Sequence, residues 1–371
     1  MPTELEIKTE RLMQVIRMHG LGGVLLNGQH NFAWITGGTD NGVDRSRDNG
    51  VASVLVTSSG KRFLLANRIE MPRLLDEQVS ANDFEPVDFG WQEEKSSSRF
   101  VIGIAIDLAG SAQIATDIPL DSSSPAIDGS IAHERCSLTV KEVERFRLLG
   151  RDAGIAVKDT VTKVQSGQSE LEIAAAMSSE LEKHSIRSVV SLVAADERIA
   201  KYRHPVPTAN RLKNTVMLVA CARRGGLTAS LTRIATIGKA SDDLIERTKA
   251  AAFVNANLWH ATREGVSGRE LYEVAAKAYA EVGFAGEIDK HHQGGAAGYR
   301  TREWVAHPEC LDQVQSNQAF AWNPSITGTK VEETVIAANG TCEVITASPG
   351  WPTITHTIDG IDYHSPGILE I

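Results

Sequence analysis

Leu5, Leu12, Val15 and Ile16 fall on one face of a 3.6-residue period across residues 5–18, and Gly20 follows them. The spacing predicts an amphipathic helix closed by a glycine stop. Gly23-Val24-Leu25-Leu26 then reads as a short buried strand, and residues 51–56 and 62–66 flank Ser58-Ser59-Gly60 as the arms of a hairpin. The continuous apolar run at residues 101–106 reads as a further strand. Together these elements predict a compact α/β domain ending near residue 135. Residues 108–130, rich in Ser, Ala, Gly, Asp and Pro, have weak periodicity and read as a surface loop or crossover.

Helical periodicity dominates after residue 136. Thr139 with Glu142, Ser169 with Glu172 and Ser267 with Glu270 each place a hydroxyl three residues before an acid at the start of an apolar-periodic stretch. That is the capping-box pattern, in which each side chain satisfies a backbone N–H left open by the first helical turn. Strand-like runs lie at 188–194, 215–222, 228–237 and 334–346, the last turning at Asn339-Gly340. Long helices beside hairpins, not alternating with single strands, predict an α+β second domain around an antiparallel sheet. The expected division is 1–135 and 136–371.

At 371 residues, 42% hydrophobic and 23% charged, the chain has the composition of a globular protein with two cores. Its formal charge of −9 and the lack of any Lys/Arg-rich run argue against a nucleic-acid partner. No apolar stretch reaches the roughly 20 residues needed to span a bilayer, and the N-terminus has no apolar leader, so a cytoplasmic protein is expected. Cys136, Cys221, Cys310 and Cys342 are scattered without a CxxC pair, which fits a reducing compartment.

Between Lys141 and Thr346 several short segments stand in a recognisable order. They are Tyr202-Arg203-His204-Pro205; Ser230-Leu231-Thr232-Arg233; His292-Gln293-Gly294-Gly295-Ala296-Ala297-Gly298 with Arg302-Glu303; Trp322-Asn323-Pro324; and Lys330-Val331-Glu332-Glu333-Thr334. Their order and separations resemble the creatinase/aminopeptidase P/prolidase family. The resemblance implies a C-terminal pita-bread domain with a smaller N-terminal α/β domain, the latter matched mainly through Asn31-Phe32-Ala33-Trp34. Family members with a metal centre hold two divalent ions on two Asp, one His and two Glu. The positions that correspond here are Val219, Ser230, Gly295, Asn323 and Glu332. Val219 and Gly295 offer no donor, while Ser230 and Asn323 are weak neutral ones. The smaller residues are also expected to clear space. No metal and no cofactor is therefore expected.

Creatinase, which the resemblance brings in as a metal-free relative, hydrolyses a C–N bond with a His supported by carboxylates. His204 matches its catalytic position, and an imidazole both accepts and donates a proton near neutrality. A loop-packing His is the plain alternative. Glu332 is the one ligand-like acid that remains; strand alternation sends it and Glu333 to opposite faces, with Glu332 toward the site. It is read as a catalytic anchor for a cationic or N–H group, or else as half of a salt bridge to Arg233 or Arg302. On a strand, only one of His291 and His292 is expected to face the site, beside glycines that admit a ligand.

Arg302, next to Glu303, is a candidate for binding a substrate carboxylate, against a cross-strand ion pair. Asn323 offers both a donor and an acceptor to an amide-like substrate. Arg45 and Arg47 lie in a polar loop, and the resemblance implies that Arg47 reaches a partner subunit's site; a solvated loop charge is the alternative. Cys221, in an apolar run, reads as a buried inert thiol. Thr232 stands where creatinase has a second catalytic Glu.

These readings point to a metal-independent hydrolase or lyase acting on a C–N bond of a small, nitrogen-containing, amino-acid-derived substrate. The alternative is a catalytically inactive module that binds a peptide or small ligand, as the peptidase-like domain of a histone chaperone does. A third arrangement would be a single displaced metal on His291 or His292 with Glu332. A homodimer is expected from the resemblance alone.

Overall fold

The computed structural model describes residues 2–44, 46–111, 113–120 and 124–371, so Arg45 lies outside the described residues. The chain divides into two compact units, Met1–Arg135 and Cys136–Ile371.

In the first unit, α1 (Glu4–Met18) leads into β1 (Gly23–Gly28) and α2 (Gln29–Ile35), followed by the hairpin β2 (Asn49–Thr57) and β3 (Arg62–Asn67). After α3 (Met71–Glu77) come β4 (Glu85–Phe89), α4 (Trp91–Ser96), α5 (Phe100–Ala109), β5 (Ile114–Thr116) and α6 (Asp128–Cys136). The sheet order is β4-β3-β2-β1-β5. The β1–β2 and β2–β3 pairs are antiparallel and the two edge pairs parallel.

Two elements differ from the sequence reading: the stretch 108–130, read as a surface loop or crossover, contains the buried strand β5 paired with β1, and an apolar run changes class. The apolar run at 101–106 belongs to helix α5, not to a strand. Ile102 and Ala105 pack on Leu25, Leu55, Phe63, Leu65 and Phe89 of the sheet. An apolar run this short fits a buried strand and a sheet-covering helix equally well, and packing chose the helix.

The second unit opens with α7 (Val140–Val161) and α8 (Glu170–Glu182). Both begin at the anticipated capping boxes, and so does a later helix at Ser267: each N-cap hydroxyl accepts the N3 backbone N–H while the N3 glutamate accepts the N-cap N–H. Next come β6 (Arg187–Ala195), α9 (Glu197–Lys201), β7 (Thr215–Arg224) and β8 (Leu227–Thr236), then α10 (Asp242–Ala261) and α11 (Gly268–Glu281). A 3₁₀ helix (Ala285–Lys290) precedes β9 (Gly294–Ala297), β10 (Trp304–Val305), β11 (Gln318–Trp322), β12 (Ser325–Ile326) and β13 (Thr329–Lys330). The unit closes with β14 (Glu333–Ala338), β15 (Thr341–Val344), β16 (Thr353–Ile358), β17 (Ile361–Pro366) and β18 (Ile368–Glu370).

Two larger sheets result, ordered β18-β8-β7-β6 and β10-β9-β11-β14-β15. They are antiparallel apart from the β18–β8 edge. The β14–β15 turn has positive φ at both Asn339 (52°) and Gly340 (72°), as a two-residue hairpin of this hand requires. Helices α10 and α11 pack Trp259, Leu271 and Tyr279 against Phe320, Trp322 and Val335 to form the main core. Among the described residues no helix is long and apolar enough to cross a membrane. Cys221, Cys310 and Cys342 form no disulfide.

The two sheets meet where Thr232 of β8 forms an isolated β-bridge with Glu332, the residue before β14. Side chains of Val219, Cys221, Ser230 and Thr232 share one face of the β7–β8 hairpin, because Val219 pairs with Thr232 and Cys221 with Ser230. Leu218 and Arg233 lie on the other face. This alternation positions everything that follows.

Candidate functional site

Three histidines from two separated segments converge in the second unit. His204 sits in the loop after α9, and His291 and His292 lie between the 3₁₀ helix and β9. Nε2 of His204 and Nε2 of His291 are 3.1 Å apart. The His291 and His292 rings stack at 4.5 Å with 24° between planes, and His204 lies edge-on to His291 at 4.9 Å. Sequence reasoning sent only one of the adjacent pair toward the site. The correction has a simple cause: residues 291–293 precede β9, so strand alternation does not govern them.

Each segment is held from beneath. Asp196 adopts positive φ (53°) and accepts the backbone N–H groups of Lys213, Asn214 and Thr215, closing the base of the His204 loop. Fully buried Glu170 accepts from Ala195 N, Thr208 N, the Thr208 hydroxyl and Asn210 Nδ2, and it pairs with Arg198. Arg203 pairs with Glu287 and donates to Thr327. On the other segment, Gln293 donates to the His291 carbonyl and accepts the Tyr279 hydroxyl at 2.6 Å. Glu170→Ala should orphan the buried Ala195 N–H, the partly buried Thr208 N–H and the Arg198 guanidinium. A loss of about 3 kcal/mol in urea unfolding is expected, with faster amide exchange across residues 196–214; unchanged exchange there would contradict the anchoring role.

Glu332 is 2% exposed, and its carboxylate is fully engaged. It accepts the Thr232 hydroxyl at 2.7 Å and pairs with Lys330 at 3.1 Å and Arg302 at 3.4 Å. Burial alone would raise its pKa; the Lys330 ammonium, the Arg302 guanidinium and the Thr232 hydrogen bond overcome this and hold it below the usual carboxylate range. Neighbouring Glu333 faces the other way, paired with Arg233 at 2.8 Å and bonded by Thr346. There burial outweighs Arg233 and pushes the carboxyl above its ordinary value. A cavity of about 360 Å³ lies on this Glu333 face, lined in part by Arg233, Trp259, Trp351 and Tyr363, and none of the three histidines lines it.

The histidines sit in a positively biased surrounding. Burial, then Lys330, lowers the His204 pKa below 6.5, with Glu332 pulling the other way. The more deeply set His291 is lowered to about 2 by burial and Lys330, and His292 to about 4 by burial, Arg302 and Lys330. Burial and the nearby cations favour the neutral form of all three rings, and between two neutral rings the His204–His291 contact needs one nitrogen to donate and the other to accept. Two cations against one carboxylate leave the cluster with excess positive charge, suited to an anionic group.

The remaining candidates fall as follows. Arg302 pairs with Glu332 and donates to the Thr301 carbonyl, so the cross-strand ion pair is what the fold contains. Glu303 accepts the backbone N–H groups of Tyr299 and Arg300, bracing a turn. Asn323 is buried with its Oδ1 unpartnered, while its N–H donates to Gln293. Arg47 lies exposed in the first unit, paired with Asp44. Cys221 is buried, with its pKa raised by burial and then by Glu332. Lys330 was missed; its signal was a cation two residues before the lone acid. Gly295 does not clear space: a Cβ there would sit 2.2 Å from the Trp304 carbonyl oxygen, and one on Gly294 2.1 Å from that of Ala321. Strand β9 is pressed between β10 and β11.

Sheets, bridging residues and site position define a pita-bread domain. The chain belongs to metallopeptidase family M24, whose model matches residues 144–345. Among solved structures it is similar to an Xaa-Pro dipeptidase from Bacillus anthracis, at 20% identity over 93% of this chain and 98% of that one, with a TM-score of 0.76. Dipeptidase PepE from Mycobacterium ulcerans is 15% identical over the full length of both chains, with a TM-score of 0.77. The N-terminal domain of the FACT complex subunit SPT16 from Cicer arietinum (chickpea) is 10% identical over 93% of this chain and 97% of that one, with a TM-score of 0.71. At these identities the likeness concerns the fold. Comparison with curated protein sequences yields no match.

Proposed function

We propose that this protein is a hydrolase acting on a C–N bond of a small, amino-acid-derived substrate, without the binuclear metal centre of its family. The supporting observation is the site's charge arrangement. Of the five positions aligned with the family's ligands, Val219 and Gly295 bring no donor, and the single carboxylate, Glu332, is already neutralised by Lys330 and Arg302. Two protein cations thus stand against the one acid among these five positions, and this donor set does not fit two divalent ions.

In this reading His204 takes a proton from the attacking water and returns it to the leaving nitrogen as the C–N bond breaks. His291 faces its Nε2 and fixes the ring, while Arg302 and Lys330 attract a substrate carboxylate. Asn323 orients an amide-like group. The reading carries with it a cytoplasmic homodimer in which Arg47 approaches the partner's site.

A screen of amino-acid-derived amides, amidines and cyclic ureas tests it, using protein stripped by chelator. Turnover should survive the stripping. Because the His204 pKa lies below 6.5, its base form persists to lower pH than in a free imidazole. The acid limb of kcat/KM is therefore expected below pH 6.5; a limb above pH 7.5, or activity that requires stoichiometric ions, would sink the reading.

One observation favours a binding module instead. The protein itself occupies both oxygens of Glu332, so no carboxylate is left to assist a proton transfer. Ligands that bind in the screen without being turned over would decide for that alternative.

A further inference from the structure

We infer that His204, His291 and His292 form a three-imidazole clamp for one divalent ion of the zinc, copper or nickel class, and that an ion seated there withdraws His204 from proton transfer. The clamp itself stands on geometry; only its consequence rests on the proton-shuttle reading of His204.

The nitrogen atoms the three rings can offer all lie within 4.8 Å of one another. Tetrahedral zinc, with Zn–N bonds near 2.0–2.1 Å, needs its nitrogen ligands about 3.3 Å apart. The His204–His291 pair already meets that spacing at 3.1 Å. His204 and His292 are exposed on one side, so their rings can turn the remaining distance. The backbone beneath is fixed: His291 is extended (φ −162°, ψ 146°) as it leaves the 3₁₀ helix, and Gln293, itself held by the Tyr279 hydroxyl, donates to its carbonyl.

Donor chemistry narrows the ion. Three neutral imidazoles suit zinc, copper and nickel, whereas magnesium and calcium demand oxygen. Glu332 cannot serve as a ligand while Thr232, Lys330 and Arg302 hold it. The charged groups facing the cluster are Lys330, Arg302 and Arg203, set against Glu332 and against Glu287, which pairs with Arg203. This excess positive charge calls for an anion in the ion's fourth position, and a hydroxide, chloride or substrate carboxylate beside Arg302 fits it.

The arrangement is a switch at one residue. His204 cannot give its lone pair to an ion and accept a proton at the same nitrogen.

The test uses the full chain, stripped of metal and titrated with Zn²⁺ against a chromophoric competitor, with Cu²⁺ electron paramagnetic resonance reporting the ligand atoms. One ion per chain with a nitrogen-rich signature is expected. His292→Ala alters an exposed ring and should leave the fold intact. It should weaken zinc binding by at least the roughly 10–100-fold that losing a ligand's supporting partner costs. Zinc should also protect His204 from acylation by diethylpyrocarbonate, a readout that needs no substrate. Unchanged affinity in His292→Ala, an all-oxygen signature, or undiminished acylation of His204 would each overturn the inference. With a substrate in hand, hydrolysis should fall in proportion to occupancy. Absent binding with ion-free turnover would overturn the clamp alone. Turnover that rises with zinc would overturn both the switch and ion-free hydrolysis.

Discussion

His204→Ala is expected to lower kcat for C–N hydrolysis by about 10²–10⁴-fold, the range that a positioned acid–base group contributes. KM should change little, because Arg302 and Lys330, not the imidazole, attract the substrate's anionic end. His204 is exposed on one side, and its ring packs against those of His291 and His292. Truncation therefore leaves no buried charge uncompensated, and unfolding by urea should be nearly unaltered. The pH profile separates a proton-transfer role from a positioning one. In the wild type the limb below pH 6.5 reports His204; in His204→Ala it should vanish from whatever activity remains. An unchanged rate would remove His204 from the mechanism and leave the binding-module alternative standing.

Glu332→Ala should have the largest effect on stability. The carboxylate is buried, Lys330 is 6% exposed, and the Arg302 side chain is 13% exposed. Removing the acid leaves two cations facing each other in a desolvated seam with no anion between them. Breaking a buried pair from one side costs about 3–5 kcal/mol, because the orphaned charge keeps its desolvation penalty. Thr232 also loses the acceptor that joins the two sheets. Glu332→Ala combined with Lys330→Met should recover part of that loss, since it removes one of the stranded charges. The sign of the pH dependence follows from the lowered Glu332 pKa. Its contribution is present above the unfolded carboxyl value and fades as pH falls through the lower folded value. If Glu332→Ala unfolded at the wild-type urea concentration, the seam would not carry the weight assigned to it.

Local rules made much of this fold legible in advance. The capping boxes at Thr139, Ser169 and Ser267 need only residues within one turn, so the chain itself specifies those helix starts. The Asn339-Gly340 turn is equally local, since few other residues accept positive φ there without cost. Alternation along a strand was enough to separate Glu332 from Glu333, because the two-residue period is a property of the backbone. Six ordered segments identified the pita-bread family, and the family model covers the same stretch.

Tertiary structure decided the rest. Helix α5 is a helix because a sheet face needed covering, a demand set by residues up to eighty positions earlier in the chain. Both His291 and His292 join His204 because the backbone leaves its 3₁₀ turn before strand pairing begins, and no periodicity reports that. Arg302 reaches Glu332 from a separate segment and Lys330 joins it from two residues away, so the sequence could offer a salt bridge to Arg302 only as one alternative and did not show that two cations hold the acid. A residue's conformation follows largely from near neighbours, whereas its charge and its partners depend on groups that only the folded chain brings within a few ångströms.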